Sequence, residues 1–253
     1  PRPKTAVVVG ATNGIGKGIA CRLAEEGFRI IAVGRDREGR KDEVLGFLRE
    51  CSSAGSGGNG SGNDTKECSA AIRHEFRPCD AFELAQVKAC AGDIVRDHSG
   101  AAGGDGGGGG IDALVMTQGM ATTQKFTPTA EGNDEKLTLH YWSRAAFAFC
   151  LLPALRMPSA MPGGSVVLTV LSGGVHSPYA KYKEDPELKT NYSIVNAANF
   201  AGYYNDLFFD KLAQLPSNGS VNFVHAAPGF VASNWGTELP SWLRYPVRGI
   251  QKL

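Results

Sequence analysis

Tyr179 and Lys183 lie four positions apart in the segment SPYAKYK and form a candidate proton-transfer pair. A lysine ammonium close to a phenol favours the ionised form of the phenol and so lowers its pKa. A tyrosine activated in this way exchanges a proton with a carbonyl or alcohol oxygen during catalysis. However, Pro178 and Pro186 flank the pair and favour a loop over a helix. The local sequence therefore favours a chance match, although a loop can also fold back and carry catalytic groups.

A glycine-rich turn in VVVGATNGIGKGIA is the second candidate for chemistry. It follows an apolar strand and opens a helical segment, where small residues let the backbone approach a pyrophosphate. The free amides and the dipole of the helix N-terminus then bind the phosphate. We therefore predict nucleotide binding over a purely structural turn. The predicted contacts are Gly10, Thr12, Asn13, Gly14, Ile15 and Gly16.

The next strand ends in AVGRD and bears on the choice of cofactor. Gly34 follows Gly16 by 18 positions, close to where a dinucleotide fold carries the acid that binds the ribose hydroxyls of NAD. A glycine there leaves room for a 2′-phosphate, and Arg35 can hold that phosphate through charge-assisted hydrogen bonds. NADP(H) is thus favoured over NAD(H). Arg37 could share this role, and the alternative is that Arg35 is a solvated loop side chain.

Short β-branched runs alternate with segments of helical period along the whole chain. We predict strands at TAVVVG, FRIIAVG, AIRHEF, IDALVM, GSVVLTVL and SVNFVHA, and helices over 15–26, 38–50, 82–97, 132–157 and 191–215. Apolar strands separated by helices indicate a parallel sheet covered on both faces. The predicted fold class is α/β, a doubly wound Rossmann sheet in a single domain spanning 1–253.

Two glycine-rich stretches, 52–64 and 99–110, interrupt this alternation. Their composition cannot bury enough apolar surface to offset chain entropy, so we predict that both are flexible. Each follows a helix and precedes a strand, which places it at the amino ends of the strands, whereas ligands bind at the carboxyl ends. They are therefore expected to be surface insertions remote from the nucleotide.

The composition excludes several classes of partner. The 26 basic and 25 acidic residues give a net charge of +1, which favours a small-molecule substrate over nucleic acid. The apolar runs are too short to span a membrane and PRPKT is no secretory signal, so a cytoplasmic location is expected. The six cysteines form no C-x-x-C pair, which favours reduced, packed thiols and no metal site. A Cys51–Cys68 bridge is the alternative.

These motifs together resemble the short-chain dehydrogenase/reductase family, in particular its branch of retinol dehydrogenase-like proteins and fungal reductases. The matching segments are GATNGIG, GRD, CD, IDALV, LLPAL, VVLTVLS and APGFVAS. The resemblance implies a nicotinamide dinucleotide and hydride transfer to or from a carbonyl or alcohol carbon. It also implies that Asp80 contacts the adenine, that Gly119 lies beside the cofactor, and that Pro228, Gly229 and Ser233 line the nicotinamide.

The chain departs from the family pattern at positions that carry chemistry. MTQG, with Thr117 and Gln118, stands where the family usually has N-N-A-G after the fourth strand. The usual relay asparagine is replaced by His140, which we interpret as a packing residue, although it could hold a water or exchange a proton. Ser172 is the nearest candidate for the serine that binds the substrate oxygen, and it could equally be a turn residue in LSGG.

The catalytic tyrosine and lysine of the family have no counterpart in register. Counting back from Pro228, these two positions fall on Ala198 and Gly202, and neither side chain can carry a proton. We therefore expect Tyr179 and Lys183 to be a coincidence, with a relocated pair as the alternative.

Two functions follow from this reading. The first is an NADP(H)-dependent oxidoreductase with a degraded catalytic tetrad. The second is an inactive nucleotide-binding homologue that serves as a sensor or binds a partner, for which NADPH should bind without carbonyl reduction.

The C-terminal segment after APGFVAS is short, NWGTELPSWLRYPVRGIQKL. The family usually has a further helix and a last strand there, so we predict that this strand is missing. The sixth strand would then lie at an exposed sheet edge that can pair with another chain, and a homo-oligomer is one expected state.

Overall fold

The computed structural model describes residues 2–37, 39–55, 72–99, 109–229 and 231. The strands are β1 (Thr5–Val9), β2 (Arg29–Gly34), β3 (Glu75–Pro78), β4 (Ala113–Met116), β5 (Ser165–Val170) and β6 (Val221–Ala226). The helices are α1 (Gly14–Glu25), α2 (Arg40–Gly55), α3 (Leu84–Ser99), α4 (Glu135–Leu137), α5 (Ser143–Leu155) and α6 (Ile194–Ala213). A π-helical turn (Thr138–Trp142) joins α4 to α5, and a 3₁₀ turn (Pro216–Asn218) precedes β6.

The six strands form one parallel sheet in the order β3-β2-β1-β4-β5-β6. This confirms the predicted doubly wound Rossmann fold. The strand order reverses between β1 and β4, and ligands of such sheets bind in the crevice outside the carboxyl ends at this point. In the part of the chain that the structure describes, β6 pairs only with β5. The prediction of a missing last strand concerns residues that lie outside this part.

The two faces of the sheet carry separate apolar cores. Ala6 and Val8 of β1 pack on one face with residues of α1 and α2, whereas Val7 and Val9 pack on the other with residues of α3, α5 and α6. All four are buried, because successive side chains of a strand point to opposite faces. This double burial explains why the strands are apolar along their whole length.

Several predicted boundaries were wrong, and the helix predicted over 132–157 is interrupted by the π-helical turn Thr138–Trp142. Helix α2 continues to Gly55, so the start of the first glycine-rich stretch is helical. Strand β3 begins at Glu75 and not at Ala71, because the ring of His74 accepts the hydrogen bond of the Ile30 N–H at 3.1 Å. The rest of the two stretches predicted to be flexible, 56–64 and 100–108, falls outside the described residues.

The cysteines also differ from the prediction of reduced thiols. Cys21 of α1 and Cys51 of α2 form a disulfide, with their Cα atoms 5.4 Å apart. These two helices pack side by side on one face of the sheet, which brings the two thiols together. Cys79, Cys90 and Cys150 are free, and Cys68 lies outside the described residues.

The described ranges lack two features, a membrane-spanning helix and a cluster of metal-ligating side chains. No helix there has the length and apolar character needed to cross a membrane. No group of three or more His, Cys, Asp or Glu side chains in those ranges is arranged to hold a metal ion.

Candidate nucleotide site and adjoining cavity

A cavity of about 410 Å³ lies at the carboxyl ends of β1, β2 and β4, and we call it the nucleotide cavity. It is the crevice that the reversal of strand order creates. Its lining includes every residue predicted for the nucleotide and adenine contacts. These are Gly10, Thr12, Asn13, Gly14, Ile15, Gly16, Arg35, Asp80 and Gly119. Arg37 and Arg40, Phe82 and Met120 also line it, and of these the sequence pointed only to Arg37.

The glycine turn forms a backbone cradle along one wall of this cavity. A Cβ atom at Gly16 would lie 2.3 Å from the Gly10 carbonyl oxygen and 2.3 Å from Thr117 Oγ1. Gly10 has a φ of +86°, a left-handed conformation that favours glycine. Asn13 Oδ1 accepts the Gly14 N–H at 2.8 Å and begins α1. The N-terminus of a helix in this position suits a phosphate group.

Thr117 explains part of the departure from the family pattern after β4. Its hydroxyl donates to the Val9 carbonyl oxygen at 3.1 Å, and so it ties the end of β4 to the end of β1. Gln118 next to it is buried, and its amide donates to Ser143 Oγ at 3.3 Å. Thr117 thus links the carboxyl ends of β4 and β1, and Gln118 links the residues after β4 to α5.

Three guanidinium groups line one end of the nucleotide cavity, those of Arg35, Arg37 and Arg40. The Arg35 guanidinium lies 5.7 Å from the centre of the Phe82 ring and makes no ion pair within the described ranges. Asp80 is the acidic side chain among the lining residues, and its Oδ1 accepts the Phe82 N–H at 3.1 Å. This end of the cavity is therefore electropositive.

A second cavity of about 320 Å³ adjoins the first. Ile15, Thr117, Gly119 and Met120 line both, so the two cavities are neighbours. The other lining residues of the second cavity come from the π-helical turn, α5, α6, the end of β5 and the loops after β5 and β6. They are His140, Arg144, Val170, Leu171, Ser172, His176, Ala198, Ala201, Pro228, Gly229 and Val231. Ser233, the remaining predicted residue, lies outside the described residues.

Arg144 is a cation buried at the inner end of the second cavity, with 1% of its surface exposed. Its guanidinium donates to the carbonyl oxygens of Met116 (3.3 Å), Gln118 (2.5 Å) and Val170 (3.0 Å), and to Thr169 Oγ1 (2.6 Å). Arg144 thus binds the carboxyl ends of β4 and β5. No carboxylate in the described ranges pairs with it. Burial lowers the pKa of Arg144 to about 9, which leaves it charged at neutral pH.

His140 lies in the π-helical turn and is held by two contacts. Its Nε2 accepts the Met120 N–H at 3.1 Å, and its carbonyl oxygen accepts from Asn205 Nδ2 at 2.7 Å. Burial, together with the charges of Arg144 and Lys136, lowers the pKa of His140 to about 3. The ring is therefore neutral and positions the backbone beside Gly119.

Ser172 stands at the start of the loop after β5, and its backbone is fixed by a buried pair. The Ser172 N–H donates to His225 Nε2 at 3.3 Å, and His225 Nδ1 lies 2.7 Å from Asp206 Oδ1. The same carboxylate accepts the Gly174 N–H at 3.1 Å. Because the His225 ring accepts through Nε2, its Nδ1 carries the proton and donates to Asp206.

Tyr179 and Lys183 lie outside the lining of both cavities. Tyr179 is buried among Leu137, Leu188 and Phe200, and its hydroxyl donates to the Asp185 carbonyl oxygen. Burial raises the pKa of Tyr179 to about 12, the opposite of what an activated proton donor needs. Lys183 is exposed, and its ammonium lies 5.8 Å from the centre of a neighbouring tyrosine ring.

Asp185 organises the loop that follows. Its carboxylate accepts the backbone N–H groups of Lys189 (2.7 Å), Thr190 (2.9 Å) and Asn191 (2.8 Å). These hydrogen bonds close the segment between β5 and α6 on itself. Burial opposes ionisation of Asp185, but the hydrogen bonds outweigh it and hold the pKa of this carboxyl well below its usual range.

We expect Tyr179→Phe and Lys183→Ala to leave NADPH binding and any turnover unchanged. Tyr179→Phe should lower the free energy of unfolding by about 1 kcal/mol, because it removes one hydrogen bond from a buried group. Lys183→Ala should stay within about 0.5 kcal/mol of the parent, as surface changes usually do. Chemical denaturation and an NADPH titration measure both effects. Loss of turnover in both variants would show that Tyr179 and Lys183 belong to the active site.

Helix α6 meets the second cavity at the two positions that correspond to the family's tyrosine and lysine. Ala198 lines the cavity, and Gly202 lies against the ring of His176. A Cβ atom at Gly202 would lie 2.2 Å from His176 Cδ2 and 2.8 Å from Ser172 Oγ. The space in front of Gly202 is thus filled by the loop after β5.

Sequence reasoning missed Arg144 and His176. Arg144 lies in the apolar segment SRAAFAFCLL, where a charged residue is a signal of a buried contact. His176 follows Ser172 by four positions in a loop at the carboxyl end of a strand, which is where ligands of this fold bind.

The comparisons with known proteins agree with this architecture. Residues 4–74 match the family model described as short chain dehydrogenase. Over 91% of its length the chain is 28% identical to the oxidoreductase AN1596 of Emericella nidulans, and over 93% it is 25% identical to the mouse retinol dehydrogenase 14. The chain spans 59% and 64% of the lengths of these two relatives.

Solved structures show the same fold. A short-chain dehydrogenase from Sphingobium yanoikuyae, in complex with NADPH, superposes with a TM-score of 0.60 at 18% identity. The match covers 93% of this chain and 75% of that one. The family-model match and the similarity to AN1596 and retinol dehydrogenase 14 agree with the predicted resemblance to the short-chain dehydrogenase/reductase family, and the solved structure shows that the fold is shared.

Proposed function

We propose that the chain binds NADP(H) in the nucleotide cavity and transfers hydride to or from a carbonyl or alcohol carbon in the second cavity. The observation that carries this proposal is that the two cavities adjoin and share Ile15, Thr117, Gly119 and Met120 in their linings. A nicotinamide at this junction would face a small-molecule substrate in the second cavity. The backbone cradle at Gly10 and Gly16 fits a pyrophosphate, because a Cβ atom at Gly16 would fill it.

The bound nicotinamide supplies the hydride, and the protein contributes binding, orientation and charge. Gly10, Gly14 and Gly16 would hold the pyrophosphate, and Asp80 would hold the adenine. Pro228, Gly229 and Gly119 all line the second cavity, and the first two would position the nicotinamide ring. Arg144 places a positive charge beneath the second cavity, which stabilises negative charge that develops on a substrate oxygen.

The preference for NADP over NAD is supported by the electropositive end of the nucleotide cavity. Arg35, Arg37 and Arg40 line it, and the nearby Asp36 carboxylate accepts the Lys41 N–H at 3.2 Å. One carboxylate oxygen of Asp36 is thereby committed to the backbone at the start of α2. A 2′-phosphate would meet guanidinium groups at this end, which bind phosphate in a bidentate manner.

We expect Arg35→Ala to weaken NADP binding by about 1.5 to 3 kcal/mol, which corresponds to roughly ten-fold to 150-fold in the dissociation constant. NAD has no 2′-phosphate, so its affinity should change little. Titration of the parent and the variant with both cofactors measures the difference. Lys41→Ala is the matched control because it removes a cation from the same segment outside the cavity lining. Equal losses for NADP and NAD would refute the preference.

A second candidate function is nucleotide binding without turnover. It is favoured by Ala198 and Gly202, which stand at the positions of the family's catalytic tyrosine and lysine and cannot carry a proton. Such a protein would act as a sensor of NADP(H) or as a partner-binding module.

One experiment separates the two functions and tests the proposal. NADPH binding is measured by nucleotide fluorescence, and oxidation of NADPH is measured with a panel of aldehydes and ketones of different size. Binding with turnover supports the oxidoreductase. Binding without turnover on any member of the panel supports the second candidate, and a failure to bind NADPH overturns both.

A further inference from the structure

Reduction of a carbonyl in the second cavity needs a side chain that exchanges a proton there. Most of the polar side chains in its lining are committed elsewhere. The Thr117 hydroxyl donates to Val9, and the Arg144 guanidinium donates to four oxygens at the ends of β4 and β5. His140 uses Nε2 to accept from the Met120 N–H. Ser172 and His176 remain, and a serine hydroxyl alone is a weak acid.

His176 is half-buried in the loop after β5 and lines the second cavity. Its Nδ1 lies 3.1 Å from Asn199 Oδ1, so the amide oxygen keeps a proton on Nδ1. Nε2 makes no hydrogen bond within the described residues. Protons are therefore gained and lost at Nε2.

Gly202 makes this position of the imidazole possible. Any side chain at 202 would collide with the ring, because a Cβ atom there would lie 2.2 Å from His176 Cδ2. The same Cβ atom would lie 2.8 Å from Ser172 Oγ, so the imidazole and the serine hydroxyl share the space in front of Gly202. Gly202, which stands at the position of the family's lysine, thus leaves the space that the His176 ring occupies.

We infer that His176, oriented by Asn199 and adjacent to Ser172, is the proton-exchanging catalytic residue of the second cavity. This inference rests on the proposed function. NADPH supplies a hydride to the carbonyl carbon, and the π electron pair of the C=O bond moves to the oxygen. That oxygen takes the proton from Nε2 of the imidazolium, whose N–H bond electrons stay on nitrogen. The products are the alcohol, NADP⁺ and a neutral imidazole, which solvent protonates again.

The charges around His176 come from three elements. Arg144 on α5 lines the same cavity, His225 on β6 interacts electrostatically with the ring, and Asp206 on α6 pairs with His225. Burial lowers the pKa of His225, opposed by Asp206, so the pair contributes a carboxylate whose charge partly offsets that of Arg144. Carbonyl reduction should require the imidazolium and should therefore fall as the pH rises. Alcohol oxidation should require the neutral ring and show the opposite dependence.

The test compares His176→Gln, Asn199→Ala and Lys183→Ala with the parent. Glutamine keeps a polar nitrogen but cannot act as an acid, so kcat should fall by about 100-fold or more, the usual contribution of a general acid. The NADPH dissociation constant should change by less than about two-fold. Asn199→Ala should shift the pH profile of kcat while keeping part of the rate, because Asn199 only positions the ring. Lys183→Ala should match the parent.

A spectroscopic readout complements the kinetics. The chain has five histidines, and ¹³C-labelled histidine gives one ring signal for each. The signal that is missing in His176→Gln should shift when NADP⁺ is added, whereas those of His74 and His98 at the amino ends of the strands should not. A shift together with the loss of turnover supports the inference.

The failures are distinguishable. Unchanged turnover in His176→Gln overturns the role of His176 but leaves the oxidoreductase intact. NADPH binding without any turnover in the parent overturns both the role of His176 and the oxidoreductase. Absence of NADPH binding overturns the proposed function as a whole. If the His176 ¹³C signal does not shift when NADP⁺ is added, the ring lies away from the nicotinamide and the inference is overturned.

Discussion

Gly16→Ala is expected to weaken NADP(H) binding by about 3 kcal/mol or more, roughly 100-fold in the dissociation constant. The added methyl group would lie 2.3 Å from both the Gly10 carbonyl oxygen and Thr117 Oγ1. Neither atom can move freely, since Gly10 donates its N–H to the Val33 carbonyl oxygen at 3.0 Å and Thr117 is tied to β1. The glycine turn must therefore shift out of the position that faces the phosphate. Isothermal titration with NADPH measures the loss.

Gly18→Ala is the matched control on the same helix. A Cβ atom at Gly18 meets nothing within 4 Å, so the methyl group has open space. Alanine should stabilise the helix by about 0.5 to 1 kcal/mol and leave NADPH affinity unchanged. Equal NADPH affinity for the parent, Gly16→Ala and Gly18→Ala would mean that the nucleotide does not contact this turn.

Arg144→Met should lower the free energy of unfolding by about 3 to 4 kcal/mol. The substitution keeps an unbranched apolar stem but removes every donor, which leaves the buried carbonyl oxygens of Met116, Gln118 and Val170 without their Arg144 partner. Each such loss costs about 1 to 3 kcal/mol, and relief of the buried charge offsets part of the sum. The melting temperature should fall by roughly 6 to 15 °C in a chain of this size.

Arg22→Met is the control for this prediction. The side chain of Arg22 is 69% exposed and pairs with Glu25 and Glu26 on the surface of α1. Exposed ion pairs contribute little, so the melting temperature of Arg22→Met should stay close to that of the parent. Similar melting temperatures for Arg144→Met and Arg22→Met would show that Arg144 does not hold the strand ends together.

The parts of the molecule that sequence predicted are those whose requirements are local. The turn at Gly10 and Gly16 needs small residues between a strand and a helix, and that requirement is visible in a dozen letters. The alternation of apolar strands and helices likewise specified a parallel sheet. Arg35 was predictable because its distance from the turn is set by one helix and one strand.

The parts that sequence did not predict depend on contacts between distant segments. Cys21 and Cys51 meet only because α1 and α2 pack together, and nothing in their spacing indicates a bridge. Arg144 carries a charge in an apolar helix, and its carbonyl partners belong to β4 and β5. His176 can occupy its position because Gly202, on the next helix, has no side chain. Such pairings require the tertiary structure.

Internal hydrogen bonds hold the loop between β5 and α6 in place before any ligand binds. The Asp185 carboxylate accepts backbone N–H groups of the same loop, and the Asp185 carbonyl oxygen accepts from the Tyr179 hydroxyl and the Leu188 N–H. Ligand binding is therefore not weakened by the entropy cost of ordering a mobile segment, which is often large. Selectivity in the second cavity should accordingly be of the lock-and-key kind. Molecules too large for the space beside His176 would not bind, and smaller ones would bind with little conformational change of the protein.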